Sequence, residues 1–367
     1  MNANKFFVDC HVFDGNLQGT TTYLKGLYQE LIKDKTKSFF LAAYNEKELQ
    51  TVFGKHSNVT YLKYKSKNKF IRLLIDIPRL IKENDIGYAH FQYVVPPIKK
   101  CNYIVTIHDV LFLDFPKYFP FVYKIKNKFL FQKSIENSDI ILTVSQYSKE
   151  QIQKHFKTTQ VFITPNAVDP VFFEEYNKSE IVKIVKERYQ IENYWVYTSR
   201  WEPRKNHDLL LKSFVENQYY KTFYLVFIGD KAITNHQYNS YYDSLDPSIQ
   251  KKIKILNRVN FDELLLLIRG ANLSIYPSIA EGFGIPPLES VAAQVPTICS
   301  NTTAMSDYNF MGDCLFNPLD ISDIKDKISI GLNATKVAEK KDFVQHNYNW
   351  AIASEQFKKA IISFENL

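Results

Sequence analysis

Short apolar runs rich in Val, Ile, Phe and Tyr alternate, along all 367 residues, with longer segments whose apolar positions recur every three to four residues. A strand buried on both faces of a sheet reads as a continuous apolar run, and a helix covering that sheet reads as a periodic one. The alternation therefore predicts an α/β protein built from βα units around parallel sheets. In the first half, strands are expected at KFFVDCHVF, SFFLAAY, IGYAHF, YIVTIH and IILTVS, with helices near 20–34, 70–83, 121–137 and 146–156. The pattern restarts with strand YWVYTS, helix 206–217, strands FYLVFIGD and IKIL, helix 261–270, strand NLSIYP and a helix from about Pro286. Between the two series Pro165 and Pro170 stiffen the turn in ITPNAVDPVF. Two similar domains are expected, 1–168 and 169–349, since a single core seldom grows past about 300 residues.

Charge and cysteine content narrow this picture. Residues 1–170 carry 24 Lys and Arg against 15 Asp and Glu, whereas residues 171–367 carry 22 against 24. Much of the excess lies between 63 and 82, in KYKSKNKFIRLLIDIPRLIK. Such a segment suits an anionic membrane surface, where each cation contributes about 1 kcal/mol, and it equally suits a solvated loop and helix start. No nucleic-acid-binding motif accompanies the charge, so nucleic acid is not an expected partner. Cys10, Cys101, Cys299 and Cys314 are scattered, and no charged start followed by an apolar stretch marks a secretion signal. A reducing cytoplasm is the expected location, with peripheral contact at the inner face of the cell membrane. No apolar run approaches the ~20 residues needed to span a bilayer.

The chemistry concentrates in SIAEGFGIPPLES, residues 278–290. The strand before it ends at Pro277, and Pro286 and Pro287 fit a first helical turn, where a missing N–H costs nothing. The loop thus joins the carboxyl end of a strand to the amino end of a helix, where open α/β sheets bind ligands. Unpaired N–H groups there favour phosphate, and Gly282 and Gly284 let the backbone approach it. Phosphate alone has no use for Glu281 and Glu289, but hydroxyls do. A nucleotide sugar carries a diphosphate and two sets of hydroxyls, so one acid can hold the transferred sugar and the other the ribose. Alternatively, Glu289 stabilises only the helix dipole from the first turn, which leaves Glu281 unexplained.

E-x7-E, reading EGFGIPPLE and followed by Ser290, resembles the signature of the retaining glycosyltransferases of family 4, which have the GT-B fold: two Rossmann-like parallel-sheet domains facing an interdomain cleft. The resemblance continues through YTSRWEPRKNHDLLLKSF, ITPNAVD, FIGDK, FDELLLLIRGANLSIYPS and VPTICSN. It implies that Arg200 and Lys205 hold the donor diphosphate. Glu281 would act on the sugar with Gly282, Phe283, Gly284, Ile285 and Glu289 around the donor. TIHD followed by FP at 115–116 is similar to a subgroup containing mannosyl- and rhamnosyltransferases, which implies that His108 contacts the transferred sugar and that Asp109 lies beside it. Gly19 fits a turn near phosphates, although Gln18 stands where the family often has a second glycine, and Ala167 replaces a glycine common in the family. The closing helix, 350–367, is expected to pack back on the first domain.

From the resemblance follow retention of configuration, GDP-mannose or dTDP-rhamnose as favoured donors, and a lipid-linked or polysaccharide acceptor in bacterial surface glycan synthesis such as O-antigen or capsule. No D-x-D pair stands beside these motifs, so no metal or other cofactor is expected. Rival readings are a nucleotide-sugar-binding protein without turnover, which would need a lost site residue, and a glycan phosphorylase, which would need free phosphate. A nicotinamide dehydrogenase would want G-x-G-x-x-G after the first strand, and DGNLQGTTT does not supply it.

Overall fold

The computed structural model describes residues 2–15, 19–257 and 259–366. By its internal contacts the chain divides into two compact units, Met1–Ala167 with Tyr348–Leu367, and Val168–Asn347.

The first unit holds a seven-stranded sheet of order β3-β2-β1-β4-β5-β6-β7. Its strands are β1 Asn2–Asp9, β2 Ser38–Ala43, β3 Val59–Lys63, β4 Ile86–Gln92, β5 Asn102–Thr106, β6 Ile140–Thr143 and β7 Val161–Ile163. Every pairing is parallel. All seven residues of β4 are buried, the mark of a central strand covered on both faces. The expected first strand stops earlier than its apolar run suggests, because His11–Asp14 turns into a 3-10 helix. Strand β3, in VTYLK, was not anticipated: it is a half-exposed edge strand, so its pattern is weak. Lys63 closes this strand and is therefore not part of a loop or helix start.

The helix expected near 70–83 runs from 69 to 83 but widens into a π-turn at Arg72–Asp76. Pro78 explains the widening, since it has no N–H to return to the preceding turn. At the end of the chain, helix Trp350–Glu365 packs on helix Gly19–Leu31. Gly26 makes that approach possible, because a Cβ there would stand 1.9 Å from the Trp350 ring.

The second unit holds a six-stranded sheet of order β10-β9-β8-β11-β12-β13, also wholly parallel. Its strands are β8 Tyr194–Thr198, β9 Tyr224–Ile228, β10 Ile253–Leu256, β11 Leu273–Tyr276, β12 Thr297–Ser300 and β13 Leu315–Phe316. In each sheet the order reverses once, between β1 and β4 and between β8 and β11. Loops leaving the carboxyl ends of those strands diverge there, which opens the crevice where such sheets take ligands. Among the described residues no helix is long and apolar enough to cross a membrane.

Candidate active site

In the second unit the loops after β8 and β11 form one platform. Tyr197, buried in β8, donates its hydroxyl to Lys205 O at 2.8 Å. Ile279 N donates to Arg204 O at 2.8 Å, and Arg204 Nη1 returns a bond to Ala280 O at 2.6 Å. Asn206, in the left-handed region at φ 62, donates its amide to Pro277 O at 3.1 Å and Pro318 O at 2.6 Å. Each bond satisfies a loop carbonyl that would otherwise be left unpaired, so the loop geometry is fixed by the sheet beneath it.

Glu281 sits on this platform between two cations. Lys205 Nζ bonds its Oε1, Arg204 Nη1 lies 3.3 Å from its Oε2, and its backbone N–H donates to Thr303 Oγ1 at 2.9 Å. Burial works against its charge, but Lys205 and Arg204 outweigh it and hold the carboxyl below the usual range. Burial also draws Lys205 down from the usual lysine value, an effect that Glu281 opposes and Arg204 reinforces. Arg204 is tied as well to Glu202 at 2.8 Å, so two cations face two carboxylates and the cluster is nearly neutral.

The sequence-predicted residues are thus only partly assembled together. Lys205 and Glu281 meet directly. Arg200 does not join them; its side chain is 57 % exposed and lies 4.0 Å from Glu202. Glu202 and Thr303 were not anticipated, and Arg204 was set aside because Lys205 fits the family's spacing. Two adjacent cations give no signal of which turns inward, and the 3-10 turn Pro203–Lys205 brings both to the acid.

Gly284 caps helix Ile285–Ala292 at φ 86. A Cβ there would meet Met305 Cγ at 2.7 Å, so this position requires glycine. Tyr308 donates its hydroxyl to the carbonyls of Phe283, at 2.7 Å, and Gly284, at 3.0 Å, which holds the buried Gly282-Phe283-Gly284 turn against the helix start. Glu289 lies one turn beyond Ile285, and the first turn carries no acid, which corrects the expectation that it stands there. Burial, with Asp169 adding repulsion, raises Glu289 to about 7.

In the first unit His108 follows β5 and is buried. Its Nε2 lies 2.7 Å from Gln92 Oε1, which can only accept, so Nε2 carries the proton of a neutral ring. Burial pushes His108 down to about 3. Behind it His90 joins Thr106, at 2.7 Å, to Tyr28, at 2.8 Å, and Tyr23 reaches Thr164 at 2.6 Å. Asp109 accepts the Leu111 N–H at 3.1 Å, the role of a turn-capping residue. Gly19 opens its helix with nothing within 4 Å of a Cβ position, and Gln18 lies outside the described residues. Near the ends of β1 and β4, a cavity of about 340 Å³ is lined by His11, Thr20, Thr21, Gln92 and Tyr93 among others. Beneath it Tyr64 donates to the buried Asp9 at 2.8 Å, and His11 and Arg72 lie 3.1 and 3.6 Å from that carboxylate. Burial opposes its charge, yet these neighbours hold its carboxyl far below the usual range. Among the described residues no group of three His, Cys, Asp or Glu could hold a metal ion.

Residues 17–172 match the model described as Glycosyltransferase Family 4, and residues 179–350 match Glycosyl transferases group 1. The chain belongs to the family 4 glycosyltransferases. It is 30 % identical over 223 residues to an O-antigen chain mannosyltransferase, RfbU, of Salmonella typhimurium, and 25 % identical over 236 residues to O-antigen chain mannosyltransferase B of Escherichia coli. Each match covers 60 % of this chain and 58 % of the relative, so the chain spans little more than half the length of these curated relatives. An Anabaena protein, HepE, solved in complex with UDP and glucose, superimposes with a TM-score of 0.72 at 15 % identity, covering 98 % of this chain and 99 % of that one. The likeness establishes that this family 4 chain has the GT-B fold.

Proposed function

We propose that this glycosyltransferase moves a hexose or deoxyhexose, with mannose favoured and rhamnose next, from a nucleotide donor to a lipid-linked or polysaccharide acceptor. The observation that carries the reading is the paired cluster of Lys205, Arg204 and Glu281 beside the helix start at Gly284. The mannosyltransferase relatives support the choice of sugar, and the fold shared with a protein that takes UDP and glucose supports a nucleotide sugar.

In this account the diphosphate takes over the cations now neutralised by Glu281 and Glu202, with Arg200 reaching it from its exposed position. Gly284 and Ile285, at the helix start, present their backbone N–H groups to it, with Gly282 and Phe283 shaping the loop around it. The bond from the anomeric carbon to the phosphate oxygen breaks with its electron pair leaving on that oxygen. The acceptor hydroxyl bonds the same face and yields its proton to the departing phosphate, so configuration is retained and no protein base is required. Lys205 and Arg204 offset the charge growing on the nucleoside diphosphate, while Glu281 orients sugar hydroxyls and stabilises cationic character at the anomeric carbon. His108 contacts the transferred sugar as a neutral ring. Two cations perform the task a divalent ion performs elsewhere, and the proposal uses no metal.

Glu289 is assigned to the ribose hydroxyls, and its raised pKa makes that assignment testable. As a carboxylate it accepts from hydroxyls; at about 7 it is half protonated at neutrality. Donor affinity should rise about tenfold from about pH 6 to about pH 8 in the wild type and stay flat in Glu289→Gln. Stability should move oppositely, because the folded protein keeps a proton that the unfolded chain sheds above about 4.3, so this group lowers stability as pH rises toward 7. Calorimetric titration of GDP-mannose, dTDP-rhamnose, UDP-glucose and UDP-N-acetylglucosamine across that range is the test. Binding of none of the four would overturn the reading, and a pH slope that persists in Glu289→Gln would remove Glu289 from the ribose.

A further inference from the structure

The first unit exposes an apolar face that its core does not explain. In helix Phe121–Glu136 only Phe131, Ser134 and Ile135 are buried, all in its second half. Its first nine residues present Phe121, Val122, Tyr123, Ile125 and Phe129 to solvent, with Phe121 at 70 % and Val122 at 74 % exposure. Helix 69–83 does the same at its start, with Phe70 73 % exposed and Leu74 and Ile75 about half exposed. Both helices are rooted in one core, to which Leu73 of the one and Phe131 of the other belong. Their amino-terminal ends are also neighbours, since Lys69 feels the charge of Lys126.

The charge along these two stretches of chain has one sign. Between residues 63 and 75 and between 117 and 129 the chain places nine lysines and arginines and not one acid. Lys63, Lys65, Lys67, Lys69, Lys117, Lys126 and Lys128 are all exposed. A monomer seldom leaves so many large apolar side chains uncovered on adjoining elements.

We infer that this face docks on the surface of an anionic bilayer, with Phe121, Val122, Ile125, Phe129, Phe70 and Ile75 entering the headgroup boundary and the lysines meeting lipid phosphates. The charge decides between occupants. Two copies joined face to face would set lysine against lysine. Single-stranded nucleic acid uses aromatic platforms but gains nothing from the aliphatic side chains that make up half of this set. An anionic lipid surface satisfies both the apolar and the cationic groups and demands no shape match. The sequence indicated only the electrostatic half, in residues 63–82. The insertion element at 121–129 became visible only when the fold left it uncovered.

This inference does not rest on the transferase reading. The test is co-sedimentation of the full chain with vesicles of phosphatidylcholine alone and with added phosphatidylglycerol, for the wild type, Phe121→Ser/Phe129→Ser and Lys126→Ala/Lys128→Ala. These positions are exposed, so folding is preserved, and donor-induced thermal stabilisation checks it independently. Binding should require phosphatidylglycerol, weaken with salt, and fall at least about tenfold in each double variant, with the donor response unchanged. Wild type that ignores anionic vesicles, or variants that bind equally, would overturn the inference. So would lipid-free self-association, or binding of a single-stranded oligonucleotide, that the phenylalanine variant abolishes. A lost donor response with vesicle binding intact would count against the transferase reading alone.

Discussion

Replacing Lys205 with alanine should lower kcat for sugar transfer by about 10²- to 10³-fold, the scale of losing one preorganised charge at a developing oxyanion. The same change should cost about 1 to 3 kcal/mol of stability, less than the full loss of a buried pair, because Arg204 remains 3.3 Å from Glu281. These two effects can be separated. Lys205→Met with Glu281→Gln removes both charges, so the melting temperature should recover most of its value while activity does not. Lys205→Arg should not rescue transfer, because a planar fork cannot fill the place of a compact ammonium already shared with Arg204. Steady-state kinetics beside thermal melts decide the matter. Recovery of activity together with stability in the double variant would reduce the pair to a structural role.

His108→Ala should lower kcat by about 10²-fold with a smaller effect on donor affinity, since its assigned contact is with the sugar undergoing transfer. Burial holds the ring neutral, with its pKa pushed down to about 3, so transfer should show no ionisation near pH 6.5 that belongs to His108. The stability consequence has a definite sign. Between about 3 and about 6.5 the unfolded chain binds a proton that the folded one refuses, so this group contributes stability that grows as pH rises through that window. In His108→Ala that contribution disappears. The variant should lose stability at neutral pH, where Gln92 Oε1 is left without its donor at 2.7 Å, and its deficit should shrink as the pH falls toward 5. Melting curves across pH check this. A deficit that widens on acidification would mean that His108 is charged in the fold.

The parts of this protein that could be read from its sequence are those whose cause is local. A strand buried on both faces announces itself as an apolar run, so β4 and β8 were legible, whereas edge strand β3, half in solvent, was not. Gly284 could be found because a positive φ at a helix start demands glycine, and Glu281 because it stands in a loop where a dipole explanation fails. Thr303 was missed, and Arg204 passed over for Lys205, for the converse reason. Their role depends on which way a 3-10 turn faces and on a loop 22 residues beyond Glu281, and no spacing rule records either. Glu289 falls just past the first turn because the helix starts at Ile285, one residue ahead of its prolines. The exposed half of helix Phe121–Glu136 was illegible altogether, since apolar residues in a helix ordinarily signal burial, and only packing reveals which of them the core leaves out.

The central claim is that the Lys205, Arg204 and Glu281 cluster drives transfer of a sugar from a nucleotide donor. Proton NMR of GDP-mannose turnover, with the wild type and Lys205→Ala in parallel, tests it most directly. The account predicts that the wild type consumes the donor without added phosphate, that the first sugar product keeps the donor's anomeric configuration, and that Lys205→Ala is nearly inert. Turnover that survives in Lys205→Ala, an inverted first product, or dependence on free phosphate would contradict it.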